Sequence, residues 1–217
     1  MSDFVTKTLK VRVRDKHAKA LGRQAAAVNT VWNYVNELSS RSIRDRGVFM
    51  SAYDIQRYTN GSGKLLGLHS QTVQRVSAEY VTRRKQFRKR RLAWRKTHGA
   101  RRSLGWVPVN TGAATLQNGQ IHFNGQHYKV WDSYGLSQYR FKTASFTEDA
   151  RGRWYFNVAV EILRAQSAGT GAVGIDLGCK EAAVPSEGEA LSGHWYRNEE
   201  ARLARAQRAR KKKEVKN

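Results

Sequence analysis

Hydrophobic and polar residues alternate at the start of the chain, and the period then changes. Val5, Leu9, Val11 and Val13 share one parity with basic residues among them, which predicts a half-buried strand over Phe4–Arg14 with a basic outer face. Beyond Asp15, apolar residues recur every three or four positions, at Leu21, Ala25, Val28, Val31, Trp32, Val35 and Leu38. This stripe predicts an amphipathic helix whose apolar face belongs to the core.

Two further helices are predicted in the middle of the chain. Ser51 is a suitable N-cap for a short helix that reaches Tyr58, and the glycines around Ser62 break it. A long helix is predicted from Ser70 to about residue 102. Its apolar stripe has heptad spacing, at Val73, Tyr80, Phe87 and Trp94.

Short strands follow after Ser103. Asn118-Gly119 is a hairpin signal between two apolar runs, and a second hairpin is predicted from residues 139–147 and 153–162, around Gly152. Strands at this spacing favour a small antiparallel sheet or barrel. The opening strand could pair into that sheet, which would make the helices an insertion within it.

The composition indicates a polyanionic partner. The chain has 217 residues and a formal net charge of +23, so it repels itself unless an anion neutralises it. Nucleic acid is the first candidate and an anionic membrane surface the second. The lone Cys179 excludes an internal disulfide and a cysteine zinc site. With neither a signal-peptide core nor an apolar run of membrane-spanning length, we expect a cytoplasmic protein with no membrane partner and no obvious protein partner.

The positive charge is concentrated in one run. Between Val81 and Arg102 there are eleven Lys or Arg and no acid. A charge run is usually a solvated helix face, but such faces normally mix signs, and like charges one turn apart weaken a helix. This run therefore predicts phosphate-backbone contacts, with the candidate binding residues Arg83, Arg84, Lys85, Arg88, Lys89, Arg91, Arg95 and Lys96.

One carboxylate ends an apolar run near the C-terminus. In Val173–Gly178, the residues Val173 and Ile175 lead to Asp176 and a glycine follows. The pattern predicts a buried strand with an acid at its carboxyl end, preceded by a linker over residues 163–171. A buried Asp needs a positive partner, and the candidates are a divalent metal or a phosphate-bound metal. A turn-capping Asp is the alternative.

Three stretches resemble the TnpB family of insertion-sequence proteins, also called OrfB-type transposases, which are relatives of type V CRISPR effector nucleases. Val28–Asn36 resembles the first helix of the recognition lobe, and Gly152–Val158 the strand before the nuclease domain. Val173–Gly178, with the basic helix from Glu199 to Lys216, resembles the start of the RuvC-like domain.

The resemblance implies an α+β fold in three parts. These are a wedge-like antiparallel β-barrel (1–14 and 103–164), a helical recognition insertion (15–102) and the beginning of an RNase-H-like, RuvC domain (171–217). It implies binding of a guide RNA and a target DNA, with base pairing reading the sequence.

For catalysis, the resemblance implies that Asp176 is the first of three acids that hold Mg²⁺. The later Glu and Asp and the zinc-binding cysteines of the family have no match here. We therefore expect the chain alone not to cut DNA, and zinc is not expected. The chain could be a gene fragment, a segment of a longer protein or a short natural form, and the first two are favoured because the last helix lacks an end signal.

Two other classes remain. Gly174–Gly178 also resembles the opening of actin-like ATPases and sugar kinases, but these follow the motif with hydroxyl residues rather than Cys179-Lys180-Glu181. A non-catalytic RNA-binding protein would share the basic run and the aromatic residues, which could stack on bases, and would leave Asp176 without a catalytic role.

Overall fold

The computed structural model describes residues 4–163, 171, 173–177, 182–191 and 197–214. The chain divides into two units, Met1–Arg164 and Ala165–Asn217. The first unit is α+β and contains a seven-stranded antiparallel sheet and four of the five described α-helices.

The sheet of the first unit is built from strands that lie on both sides of the helices in sequence. Its strands are β1 (Phe4–Val13), β2 (Trp106–Val109), β3 (Ala114–Gln117), β4 (Gln120–Phe123), β5 (Gln126–Trp131), β6 (Phe141–Glu148) and β7 (Trp154–Leu163). Their order is β2-β6-β7-β1-β5-β4-β3, and β3 returns to contact β6, so the sheet is a nearly closed barrel.

The opening strand is central to this sheet, as the sequence predicted. β1 pairs with β7 from Phe4 opposite Leu163 to Arg12 opposite Tyr155, and its end pairs with β5. The helices therefore enter between β1 and the remaining strands. The three domain boundaries drawn from the sequence stay a prediction.

Both predicted hairpins are present. Asn118 and Gly119 have φ values of 48° and 70°, the left-handed pair that the tight turn between β3 and β4 requires. β6 and β7 form the second hairpin, with a register shift between Phe141 and Ala144. The inner face of the barrel carries an aromatic cluster in which Phe146 lies 4.9 Å from Phe156 between ring centroids.

Four helices follow β1 in the first unit. They are α1 (Ala18–Arg46), α2 (Ala52–Thr59), α3 (Ser62–Leu66) and α4 (Ser70–Gln86). The α1 stripe is buried as predicted, apart from a partly buried Leu38. Ser51 caps α2 in a capping box with Asp54. Trp32 of α1 packs edge-on against Tyr80 of α4 at 5.5 Å.

The long helix predicted from Ser70 to about residue 102 is wrong, because α4 ends at Gln86. Arg88 adopts a left-handed backbone with φ 50°, and the amide of Lys89 donates to the carbonyl of Arg84 at 3.2 Å, which closes the helix end. Phe87 and Trp94 are consequently 54% and 47% exposed. Like charges weaken a continued helix here, and α1 binds the extended chain instead.

The second unit contains β8 (Ile175–Asp176), β9 (Val184–Pro185) and α5 (Arg197–Glu214). β8 and β9 form an antiparallel pair with Asp176 opposite Val184. The prediction of a buried strand at Val173–Gly178 is wrong for its described part, because residues 173–177 are all exposed. Within the described part of this unit, that sheet has two strands of two residues, which offer the apolar side chains no layer to pack against.

Several predictions fall outside the described residues. They concern most of the linker over 163–171 and the end of the Asp176 motif at Gly178 and Cys179. The helix expected from Glu199 onward corresponds to α5. Among the described residues, no helix has the length and apolar character needed to cross a membrane.

The position of β1 in the sheet can be tested by truncating one buried and one exposed side chain on the same strand. Leu9 is 2% exposed and Val5 is 39% exposed. We expect Leu9→Ala to lower the free energy of unfolding by about 2–5 kcal/mol through lost burial and a cavity. Val5→Ala should lower it by less than about 1 kcal/mol. Urea denaturation measures both, and equal losses would contradict the burial of Leu9 in the sheet.

Candidate nucleic-acid interface

The segment between α4 and β2, residues 87–105 and here called the basic segment, is held by asparagines of α1. Asn36 Nδ2 donates to Leu92 O at 2.7 Å, and Leu92 N donates to Asn36 Oδ1 at 3.0 Å. Asn33 forms the same pair of bonds with Arg95 N and O, both at 2.8 Å. Each side-chain amide thus supplies the donor and acceptor that a neighbouring strand would supply.

Further bonds complete this attachment. Trp32 Nε1 donates to Ala93 O at 3.3 Å. The Arg95 guanidinium donates to Asn29 Oδ1 at 2.6 Å and to Leu104 O at 2.7 Å. Desolvation by burial lowers the pKa of Arg95 from its usual value, so this guanidinium serves the internal structure as well as adding positive charge.

Glu148 of β6 anchors the far end of the basic segment. Its two carboxylate oxygens accept from the Arg102 guanidinium at 2.6 and 2.8 Å, and Gly105 N donates to it at 2.9 Å. A Cβ at position 105 would overlap the indole of Trp154, so the close approach requires glycine. The Arg102 hydrogen bond is the main cause that lowers the pKa of Glu148.

The basic segment, α4 and the outer face of the sheet enclose a groove of about 800 Å³. α4 contributes Arg75, Glu79 and Arg83, which are spaced by four residues and share one helix face. The basic segment contributes Phe87, Lys89, Leu92, Trp94, Arg95 and Ser103. Small, mostly polar side chains line the floor of the groove: Thr8, Thr143, Ser145, Asn157 and Ala159.

The groove carries excess positive charge. Four of its lining side chains are cationic and one, Glu79, is acidic. Glu79 accepts from Arg83 Nε at 2.8 Å, and the Arg95 guanidinium already donates to Asn29 Oδ1 and Leu104 O. Among the described residues, the side chains of Arg75 and Lys89 have no hydrogen bond or ion pair, so they are available to an anionic ligand.

The structure separates the predicted binding residues into three sets. Arg83, Lys89 and Arg95 line the groove. Lys85, Arg88, Arg91 and Lys96 are exposed on the surface outside it. Arg84 is 2% exposed, and its guanidinium donates to Ser39 Oγ at 2.6 Å and to Met50 O at 2.8 Å. Since the Arg84 side chain is enclosed, its role in this structure is to join α4 to α1 rather than to contact a phosphate.

Acids from distant parts of the sequence neutralise part of the basic run. Glu37 of α1 pairs with Arg91 at 3.2 Å, and Glu148 of β6 pairs with Arg102. Within the described part of the chain, six cations of the run make no side-chain hydrogen bond or ion pair: Lys85, Arg88, Lys89, Arg90, Lys96 and Arg101. The uncompensated charge is therefore smaller than the run suggests, but it is still concentrated on the basic segment.

Three features of the groove were not predicted from the sequence. The sequence pattern places Phe87 and Trp94 in the apolar stripe of a helix, whereas both aromatic side chains are exposed in the groove. It did not select Arg75, although the four-residue spacing to Glu79 and Arg83 is visible in the sequence. It also gave the α1 asparagines no role, since nothing local indicates which backbone they bind.

A second basic and aromatic row lies on the outer face of β7, β1 and β5. Arg12 is opposite both Tyr155 and Trp131 in the two strand registers. The guanidinium carbons of Arg12 and Arg14 lie 4.9 and 4.1 Å from the Trp131 ring centroid, within cation–π distance. The basic outer face predicted for β1 is thus present, and Asp15 balances it in part through an ion pair with Arg12 at 3.0 Å.

Asp176 does not form part of a metal site in the described structure. Asp176 is exposed in β8. In the described ranges, no group of three or more His, Cys, Asp or Glu is arranged to hold a metal. One carboxylate cannot hold two Mg²⁺ ions. The described residues supply one of the three acids that the family resemblance implies, and the magnesium site stays a prediction.

Comparison with known proteins gives a structural neighbour. No family model matches the chain, and no curated protein matches it. A solved chain in the cryo-EM structure of a CRISPR-Cas12f ternary complex aligns with it at a TM-score of 0.42 and 10% sequence identity, over 92% of this chain and 53% of that chain. The protein thus spans about half the length of this neighbour.

The asparagine attachment of the basic segment predicts the effect of Asn36→Ala. Asn36 is fully buried, and its loss leaves the amide and carbonyl of Leu92 without partners. Unsatisfied buried groups cost about 1–3 kcal/mol each, so we expect a loss of about 3 kcal/mol in urea denaturation and faster trypsin cleavage within residues 87–102. The control is Thr30→Ala, on the exposed side of α1, which should change neither measurement; unchanged cleavage in Asn36→Ala would contradict the attachment.

The Glu148 anchor predicts a pH dependence of stability. Because its pKa is lowered from the usual 4.5, the ionised carboxylate stabilises the fold above that pH, and this stabilisation is lost as the pH falls through the lower folded-state pKa. We expect Glu148→Gln to lower the unfolding free energy at pH 7 by about 1.5–3 kcal/mol and to flatten its decrease below about pH 4.5. Glu161→Gln, which removes an exposed pair with Lys142, should change stability by less than about 1 kcal/mol.

Proposed function

We propose that this protein is a nucleic-acid-binding protein of the kind found in RNA-guided effectors, and that the groove between the helices and the barrel is its binding site. One observation carries the proposal: Arg75 and Lys89 stand uncompensated beside the exposed rings of Phe87 and Trp94 in a single groove. Cations that track a phosphate backbone together with aromatic stacking surfaces are the usual components of such sites.

The more specific proposal is a transposon-encoded, TnpB-like protein that binds a guide RNA and a target DNA. It rests on the resemblance of Val28–Asn36, Gly152–Val158 and Val173–Gly178 to that family. The first stretch, Val28–Asn36, also has a structural role, because its residues Asn29, Asn33 and Asn36 attach the basic segment to α1.

We propose DNA cleavage only for a TnpB-like protein in which further carboxylates complete a site with Asp176. When bound in such a completed site, Mg²⁺ would stabilise the charge that develops at a scissile phosphate. The contribution of the described residues is to bind and orient nucleic acid. We propose that they do so without hydrolysing it.

A non-catalytic RNA-binding protein is the second candidate. The exposure of Asp176, without other acids grouped around it in the described structure, favours this candidate. The two candidates share the groove and differ in whether a longer form of the chain cuts DNA in the presence of Mg²⁺. Abolition of such cleavage by Asp176→Ala would favour the TnpB-like protein.

Removal of the two uncompensated groove cations should weaken binding and its salt dependence. For Arg75→Ala/Lys89→Ala, we expect affinity for RNA in moderate salt to fall by at least about tenfold. The slope of log K against log salt should become shallower by about 1.5, since each lost phosphate contact contributes about 0.7–0.9. Fluorescence anisotropy across a salt series, with structured RNA and duplex DNA, gives both quantities.

The matched control is Lys19→Ala/Lys129→Ala. It removes the same charge from exposed residues outside the groove, so it should change the affinity by less than about threefold and leave most of the slope. If both double variants lose the same affinity, binding depends on net charge alone and the groove is not the site.

A further inference from the structure

We propose that the groove binds unpaired nucleotides and that the indole of Trp94 is the platform on which one base stacks, with Phe87 supporting a second. This inference rests on the proposed function and specifies its ligand as single-stranded RNA or a single-stranded RNA loop rather than a duplex.

The groove has two exposed aromatic side chains. Trp94 and Phe87 are 47% and 54% exposed and line the same groove. The exposed part of an indole makes no apolar contact in the free protein. A nucleobase presents a flat π-face of matching size that can supply this contact. The cations of the groove would then neutralise the phosphates on either side of the stacked base.

The backbone around Trp94 is already ordered. Both neighbouring positions are fixed, because Asn33 binds the amide and carbonyl of Arg95 and Trp32 binds the carbonyl of Ala93. Two residues before Trp94, Asn36 binds Leu92 in the same way. A stacking residue on a fixed backbone loses little conformational entropy when a ligand binds, which favours affinity.

The Trp94 indole has a cation on one face. The Arg91 guanidinium carbon lies 5.5 Å from the Trp94 ring centroid, and Glu37 holds the same guanidinium by an ion pair. Trp94 is 47% exposed beside this contact. A base on the opposite face would form a stack of base, indole and guanidinium.

The floor of the groove supplies a polar group for the base edge or the ribose. Asn157 Nδ2 donates to Thr147 Oγ1 at 2.8 Å, which orients the side chain and leaves its Oδ1 as an acceptor without a hydrogen bond among the described residues. The acceptor suits a 2′-hydroxyl or an exocyclic amine. Bases within a duplex keep both faces stacked on each other, so they cannot use Trp94 without unpairing.

The test compares one RNA strand with its own duplex. The strand has about 12 nucleotides, carries a single 2-aminopurine whose fluorescence reports stacking, and is measured alone and annealed to its complement. For Trp94→Ala we expect an affinity loss of about tenfold or more for the single strand, with loss of the stacking signal. The duplex affinity should change by less than about threefold.

Two variants separate stacking from folding. Trp94→Phe keeps an aromatic ring and should retain most of the single-strand affinity. Tyr58→Ala removes a ring that is 51% exposed on α2 and does not line the groove, and it should change neither affinity. Circular dichroism melting of each variant identifies any that fails to fold, and Trp94→Phe then decides the question.

The outcomes distinguish this inference from the proposed function. If Trp94→Ala leaves single-strand affinity unchanged while the groove cations still determine the salt slope, stacking is overturned and nucleic-acid binding stands. Equal losses on single strand and duplex would also overturn stacking on an unpaired base. If neither the cations nor Trp94 affects either ligand, both proposals fail.

Discussion

The paired hydrogen bonds of Asn33 and Asn36 with the basic segment are the interaction on which the candidate site depends. A helix uses its own backbone groups internally, so α1 can bind an extended chain only through side chains. Two asparagines one turn apart supply donor and acceptor pairs at the spacing of Leu92 and Arg95. With these bonds, the segment forms one wall of a groove; without them, its backbone groups would lose buried partners.

The attachment of the basic segment to α1 also determines where the positive charge of the run lies. A run of cations repels itself in a helix, and ending α4 at Gln86 disperses the run along an extended path. Acids from α1 and β6 then pair with Arg91 and Arg102 of the run. What remains uncompensated lies around the groove and on the outer surface of the basic segment, where a polyanion could neutralise it.

Most of the first unit was predictable because its signals are local. The alternation in β1, the three-to-four-residue stripe of α1 and the Asn118-Gly119 turn each depend on neighbouring residues, and each is confirmed. The end of α4 was not predicted, because Phe87 and Trp94 continue a heptad pattern in a segment whose backbone is bound by a different helix. The periodicity of a segment does not show whether side chains of a distant helix, here α1, bind its backbone and so prevent the helix from continuing.

The residues of the groove could be predicted from the sequence only in part. The basic run includes Arg83, Lys89 and Arg95, which line the groove, and their contact with nucleic acid stays a prediction. It also included Arg84, which is buried, since a list of charges does not say which side chain faces inward. The reasoning for Asp176 assumed a covered sheet, and its strand is exposed among the described residues.

The sequence by itself determined the opening strand, the α1 and α2 helices, the two hairpins of the first unit and the excess of positive charge, because these depend on local pattern and composition. Only the tertiary structure decided which cations are paired, which aromatic rings are exposed and where the groove lies. Those features depend on contacts between residues about 45–66 positions apart, such as Arg84 with Ser39 and Arg95 with Asn29. Such contacts form only when α1, α4 and the barrel pack together.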